Sequence, residues 1–354
     1  MDKSYRETYA EINLSNIKYN VNSIIKKYND YEYYFGVVKA DCYGHFGLDT
    51  VKTIIDAGVN YLAVALLEEA LEIRKSFKDI PILCLGHIDS TYASICKENN
   101  ITMTVSSSLY AKEICNIKGL KVHIKVDTGM HRLGVSTSLE FSLICDILKS
   151  NVNIEGVYSH IYNSKSIKDT NNQFKKFESI INCNYLNNIK IVHINSSTSL
   201  VKYKKLSITN GCRLGIIMYG FTEDKSLKLK STFSLKSKIV QINILDKGDT
   251  LGYDGLYKVT SKTIVGVVSI GYADGIIRKN TGRSVYINNK EYEIIGNICM
   301  DMLFIKLGSN VNINDEVIIL KDVNHIKKVS RYLNTIPYEV LCSVSKRVKR
   351  IYIY

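Results

Sequence analysis

Tyr34-Tyr-Phe-Gly-Val-Val-Lys-Ala-Asp-Cys-Tyr-Gly-His45 is an apolar run that ends in Lys39 and gives way to a polar loop containing Gly44. A run of that length and type reads as a buried strand. A lysine at its end must have its ammonium solvated, paired or removed, because burying a charge is costly. A Schiff base with an aldehyde cofactor removes it, a standard use of desolvated lysines. The plainer alternative is a lysine snorkelling out of a strand end. What the rest of the chain brings to Lys39 decides between the two.

Upstream, Ala10-Glu-Ile-Asn-Leu14 alternates as a short strand, and Ser15 reads as the N-cap of a helix over Ile17 to Tyr28. Downstream, apolar runs recur at Tyr61–Ala65, Pro81–Gly86, Ile101–Val105, Val122–Asp127, Ile154–His160, Ile191–Asn195 and Leu214–Tyr219. Amphipathic stretches such as Leu48–Ala57, Leu67–Ser76 and Leu139–Leu148 lie between them. With the strand before Lys39 this makes eight βα units, the pattern of an α/β fold with a (β/α)8 TIM-type barrel. The barrel domain is expected over residues 10–228. Near residue 230 the period changes to two, as in Thr232-Phe-Ser-Leu-Lys-Ser-Lys-Ile and Ile264-Val-Gly-Val-Val, with no long helix before about Lys327. Residues 229–354 therefore read as a C-terminal, mostly antiparallel β domain, and the strand at 10–14, which has no partner in a barrel, is expected to join it.

The chain has 354 residues, 45% of them hydrophobic and 23% charged, enough for an ample core. Its nine cysteines are irregularly spaced with no C-x-x-C pair, so neither a zinc site nor a disulfide framework is indicated, and no metal is expected. Cys84, Cys212 and Cys342 lie in apolar runs and read as small core residues. Met1-Asp-Lys-Ser-Tyr-Arg-Glu lacks an apolar signal region, and no stretch reaches the roughly 18 apolar residues of a membrane span, so a cytoplasmic protein with no membrane partner is expected. The net charge of +13 is scattered, apart from Ser345-Lys-Arg-Val-Lys-Arg350, and no nucleic-acid module stands out. Such a balance fits attraction of an anionic cofactor or substrate as well.

In a (β/α)8 barrel, polar residues at the C-terminal strand ends form the active face. Here those residues are Lys39, Lys125, Asp127, His160, Asn195, Ser196, Arg213 and Gly215. Singly each is weak, and a lone His160 is as readily a structural histidine as a catalytic one. Together, one lysine for an aldehyde, hydroxyl and backbone donors for a phosphate, and an arginine read as a pyridoxal 5'-phosphate site.

Val38-Lys-Ala-Asp-Cys-Tyr-Gly-His45, Lys125-Val-Asp-Thr-Gly-Met-His-Arg-Leu-Gly134, Arg213-Leu-Gly-Ile216, Gly271-Tyr-Ala-Asp-Gly275 and Cys299-Met-Asp301 resemble, in order and spacing, the motifs of the alanine racemase family. The resemblance spans essentially the whole chain. It implies that Lys39 holds the cofactor and acts as one base, and that Tyr253 is the second base, reaching the site from the partner subunit of a homodimer. It implies that Arg213 faces the pyridine nitrogen with His160 behind it, and that Tyr43, Ser196, Gly215 and Ile216 hold the phosphate. Arg132 and the Met300 amide would bind the substrate carboxylate. Lys125 matches a lysine often carbamylated in the family, and Tyr272 and Arg278 match its substrate entrance.

The pattern departs in three places. Lys346 stands where a tyrosine beside the phosphate is usual, Asn297 replaces an arginine of the entrance, and Lys165 lies where an acidic residue is common. These changes bear on the substrate more than on the reaction. The implied activity is interconversion of L- and D-alanine for cell-wall peptidoglycan. The alternatives are a serine or broader racemase of the vancomycin-resistance type, a decarboxylase, or a non-catalytic cofactor-binding protein. The chemistry is coherent on its own terms, since racemisation needs one moderately strong base on each face of Cα.

Overall fold

The computed structural model describes residues 5–354. Met1–Ser4, part of the stretch read above as lacking a signal region, lie outside them. The chain forms two compact units. One comprises the stretch through Asn16, Tyr43–Phe46 and Ser231–Tyr354; the other comprises Ile17–Cys42 and Gly47–Lys230.

The first strand, β1 (Tyr9–Asn13), runs directly into a helix over Leu14–Lys27. This helix starts three residues earlier than expected, because Asn13 rather than Ser15 caps it: Asn13 Oδ1 accepts the Asn16 amide hydrogen at 2.7 Å. Lys26 and Lys27 in its last turn suit the negative end of the helix dipole.

The second unit is a closed barrel of eight parallel strands: β2 (Tyr33–Val37), β3 (Tyr61–Val64), β4 (Ile82–Cys84), β5 (Ile101–Val105), β6 (Lys121–Lys125), β7 (Asn153–Tyr158), β8 (Ile191–Ser196) and β9 (Gly211–Leu214). Every residue of β3, β4, β5 and β9 is buried, as expected when helices cover the outside of a barrel and side chains fill the inside. The side chains of Ser107, Thr137 and Ser166 cap the helices Ser108–Ile114, Ser138–Leu148 and Ile167–Ile181, which sets where each crossover starts.

Three sequence expectations move. The strand before Lys39 stops at Val37, and His160 lies two residues past the end of β7. The eighth strand is Gly211–Leu214, whereas Ile216–Tyr219, expected as that strand, is a buried 3-10 turn closed by Gly220 at φ 94°. A four-residue apolar run has the same period in either state, so burial alone could not separate them.

The other unit is an eight-stranded sheet in the order β13-β16-β15-β14-β17-β10-β1-β18. After β10 (Phe233–Leu245) and the small hairpin of β11 (Thr250–Leu251) and β12 (Tyr257–Lys258) come β13 (Thr263–Val268), β14 (Ser284–Ile287), β15 (Lys290–Ile295), β16 (Leu303–Leu307), β17 (Glu316–Leu320) and β18 (Lys349–Ile353). Pairing is antiparallel except between β1 and β18. β1 lies between β10 and β18, with Tyr9 opposite Lys236 on one side and Lys349 on the other. In β10, Phe233, Leu235, Ser237 and Ile239 point inward in strict alternation. A helix over Val323–Tyr332 starts slightly before the expected Lys327, capped by Asp322. Cys342 is exposed, not a core residue: its run is helical, and only Val340, Leu341 and Val344 turn inward. Among the described residues no helix is long and apolar enough to cross a membrane.

Candidate active site

Past β2 the Val38 amide donates to Ala63 O at 2.9 Å, and Lys39 opens an unusual turn. Ala40, Asp41, Cys42 and Tyr43 all lie in the left-handed region, with φ of 50°, 50°, 55° and 56°. Each such non-glycine residue costs about 1–2 kcal/mol, so the turn persists only because its surroundings over-determine it. Glu69 is one of those constraints. Its Oε1 accepts from Ala40 N at 2.7 Å, while Oε2 accepts from Ala65 N at 2.8 Å and Leu66 N at 3.1 Å. One carboxylate thus pins the turns that follow β2 and β3. The Cys42 thiol is pushed up to about 12 by burial, so it stays protonated.

Lys125 ends β6, and the loop after it is folded back on the strand. Val126 bridges to Val135, and Val135 N donates to Lys125 O at 2.9 Å. Within the loop, Asp127 Oδ1 accepts from the amides of Gly129, Met130 and His131 at 2.9, 2.9 and 3.1 Å. Burial works to raise the Asp127 carboxyl, but these amides hold it below its ordinary value. A Cβ at Gly134 would come within 2.8 Å of Lys125 O, so the close return needs glycine. The result fixes the exposed loop that carries Arg132.

Arg213, in β9, is buried and donates to neutral acceptors. Its Nη1 lies 2.7 Å from His193 Nδ1, and its Nη2 donates to Ser159 O at 2.7 Å and Ile194 O at 3.0 Å, with His160 Nδ1 at 3.3 Å. The Tyr158 ring lies beneath both cations, 5.3 Å from the Arg213 guanidinium and 5.6 Å from Lys125 Nζ. The crowded charges act on one another. Lys125 is pushed down to about 8 by burial first, then by Arg132 and Arg213, with a smaller contribution from Lys39. His160 is pushed down to about 3 by burial, then by Arg213, Arg132, Lys125 and Lys39. The barrel unit therefore brings Lys39, Lys125, Arg132, His160 and Arg213 together. Four of these are cations, an arrangement that calls for anions.

Ser196 ends β8 beside Arg213 and caps the helix Ser197–Lys202. Ser197 Oγ accepts from Gly215 N at 3.0 Å, joining the Ser196 turn to the Gly215–Ile216 turn. Lys165 is exposed just before the capping Ser166.

The remaining expected residues stand in the β unit. Tyr43 is buried with its ring 5.8 Å from that of Tyr338. Lys346 Nζ lies 5.6 Å above the Phe46 ring, which also stacks with the Arg350 guanidinium at 3.9 Å. Tyr253 is 67% exposed, between β11 and β12, and Asn297 Nδ2 donates to its carbonyl at 3.0 Å. Arg278 lies 3.9 Å from Asp254 next door. Tyr272 N donates to Cys299 O and Ala273 N to Met300 O, both at 3.0 Å. Asp274, buried in the same turn, pairs with Arg6 at 2.6 Å and with Arg347 at 3.7 Å.

Sequence reading missed Glu69, Tyr158, His193, His123 and Glu155. Period two was an available signal for both histidines, since His123 is two residues before Lys125 on β6 and His193 two before Asn195 on β8. Glu69 gave none, being a helix-face carboxylate like its neighbours Glu68 and Glu72.

A family model described as "Alanine racemase, N-terminal domain" matches residues 12–223, and "Alanine racemase, C-terminal domain" matches residues 232–352. The chain is 35% identical to an alanine racemase of Helicobacter pylori J99, covering 98% of this chain and 99% of that one. It is 34% identical to alanine racemase 1 of Bacillus subtilis 168, covering 99% and 94%. The solved alanine racemase of Bacillus anthracis with bound L-Ala-P superposes with a TM-score of 0.93 at 29% identity, covering all of this chain and 96% of that one.

Proposed function

Because the chain belongs to the alanine racemase family, we propose that it is a pyridoxal phosphate-dependent alanine racemase, an isomerase supplying D-alanine for peptidoglycan. The observation that carries this reading is the cluster of Lys125 and Arg213 at strand ends with Lys39 and Arg132 in the turn and loop just beyond them, where burial and mutual repulsion bring Lys125 down to about 8. That donor set fits the cofactor. Lys39 would hold it, and Ser196, Gly215 and Ile216, with Tyr43 and Lys346 of the β unit, would hold its phosphate. Bound there, pyridoxal phosphate supplies an electron sink that acidifies the substrate Cα–H.

The chain's own residues do the rest. Arg132 and the Met300 amide would orient the substrate carboxylate. Arg213 is a permanent donor and keeps its proton, so it would leave a ring nitrogen held against it unprotonated and the sink moderate. That favours return of a proton to Cα over side reactions. Lys39 would exchange a proton with one face of Cα and Tyr253 with the other. The exposure of Tyr253 supports a base offered to the second subunit of a homodimer. Lys125, with its amine pushed down to about 8, has a reactive neutral form near neutral pH, and carbamylation would place a negative charge beside Arg132 and Arg213. The reading places the enzyme in the cytoplasm. Tyr272, Arg278, Asn297 and Lys165 would line the substrate entrance.

The test is loss of optical activity of L-alanine and L-serine, in parallel, by the cofactor-loaded protein. Faster loss with alanine is the expected result. Equal or faster loss with serine makes Lys346 and Asn297 determinants of specificity, and no loss with either overturns the assignment.

A further inference from the structure

A chain of side chains runs down the barrel interior from Arg213 to Glu155, and we propose that Glu155, acting through His123 and His193, is a positioning residue that holds the Arg213 guanidinium. The role of Arg213 at the cofactor rests on the function proposed above. The direction of the chain rests on geometry alone.

Arginine has only donors and a carboxylate only acceptors, so the two ends dictate every hydrogen between them. Arg213 Nη1 is 2.7 Å from His193 Nδ1, which must therefore accept, leaving the His193 hydrogen on Nε2. That nitrogen is 3.0 Å from His123 Nδ1, which must accept in turn. The His123 hydrogen is thus on Nε2, which makes no hydrogen bond of good geometry and faces Glu155 Oε2 at 3.4 Å, so this last link is an electrostatic one. Tyr61 donates to the same oxygen at 2.7 Å and Thr102 lies at 3.5 Å from it. Both imidazoles are fully buried, and burial first, then the field of Arg213, keeps them below their ordinary values despite Glu155. They are neutral, as a chain with one hydrogen per link requires.

The rings cannot turn to find other partners. His193 is stacked between Phe35 at 4.4 Å and Tyr158 at 4.9 Å, with interplanar angles of 12° and 15°. His123 lies against Gly156, where an added Cβ would meet its ring at 2.6 Å. Burying two imidazoles beside a carboxylate is costly, and the polar contacts along the chain offset that cost. Removing the acceptor at the Glu155 end leaves two outcomes. Either His123 Nε2–H loses the negative charge it faces, or both rings exchange tautomers and His193 Nδ1–H confronts Arg213 N–H. The second outcome moves the guanidinium.

The experiment uses the full-length, cofactor-loaded protein labelled with 15N-histidine, with ring-nitrogen shifts reporting the tautomer of each histidine. In the wild type both His123 and His193 should carry the hydrogen on Nε2. Glu155→Leu should mix the tautomers and lower kcat about tenfold with KM within about twofold, the size usual for outer partners of site residues. Glu155→Gln retains an acceptor oxygen and should restore kcat to within about threefold of wild type. An Nδ1–H or doubly protonated ring at either histidine in the wild type overturns the proposal, whether or not the variants fold. So does an unchanged kcat in Glu155→Leu, or a Gln variant no better than Leu. If the wild type racemises nothing, the functional reading falls while the tautomers still decide the direction of the chain.

Discussion

Glu69 Oε1 accepts the amide hydrogen of Ala40 at 2.7 Å, one residue beyond Lys39 and inside the left-handed turn. Its second oxygen holds the turn after β3. Glu69→Gln keeps one acceptor oxygen and sets an amide NH2 against a backbone N–H. A loss of about 1.5–3 kcal/mol is expected, the range for hydrogen bonds to a charged group. Urea unfolding should show a lower midpoint with an unchanged slope. An unaltered midpoint would mean the turn is held by other contacts.

Gly156 leaves room for the His123 ring, since a methyl group there would lie 2.6–2.7 Å from three ring atoms. Gly156→Ala should destabilise the barrel by about 1–3 kcal/mol, as overpacking does. The ring is hemmed in by Phe35 and Tyr61, so it has little room to give. Differential scanning calorimetry would measure the loss, and a melting temperature equal to wild type would refute this account of the packing.

Burial, then the Arg132 and Arg213 charges, push Lys125 down to about 8 in the folded protein, from the ordinary lysine value of 10.5. Below pH 8 it is charged in both folded and unfolded chains. Between about pH 8 and 10.5 the unfolded chain binds more protons, so this residue makes stability rise with pH across that window. Relative to Lys125→Met, the wild type should gain on the order of 2–3 kcal/mol over the window, a figure set by the size of the shift. Urea titrations of both proteins with carbon dioxide excluded test this. Parallel stability curves would show that Lys125 titrates normally.

Tyr253→Phe should leave one base in place. Racemisation should fall about 100-fold or more, as removal of an acid–base group commonly does. Exchange of the α-proton with solvent deuterium should continue for one enantiomer of alanine and stop for the other. Continued exchange of both, followed by mass spectrometry, would assign the second base elsewhere.

The barrel was legible because parallel strands buried on both faces, such as β3 and β5, read as unbroken apolar runs. The sheet unit was legible because β10 alternates over its first half. What escaped was what periodicity does not encode. Ala40–Tyr43 contains no glycine or asparagine, so nothing in its composition announces four left-handed residues. Ile216–Tyr219 is too short for its period to distinguish strand from turn. At the site, Lys39, Lys125 and Arg213 stood out as charges at apolar strand ends. His123 and His193 did not, because a histidine inside an apolar run reads as a single satisfied core residue until its partners from other strands are known.

β1 carries a constraint on synthesis. Its antiparallel partner β10 follows it by roughly 220 residues, and at a translation rate of about 5–20 residues per second that separation lasts about 10–45 s. Its parallel partner β18 comes later still. On the ribosome, every strand and helix of the barrel emerges while Ala10 and Ile12, both destined for full burial, have no sheet to enter. The growing chain therefore passes through a stage in which the barrel sequence is complete and this leading strand is an unpaired edge, the stage at which a chaperone would find something to hold.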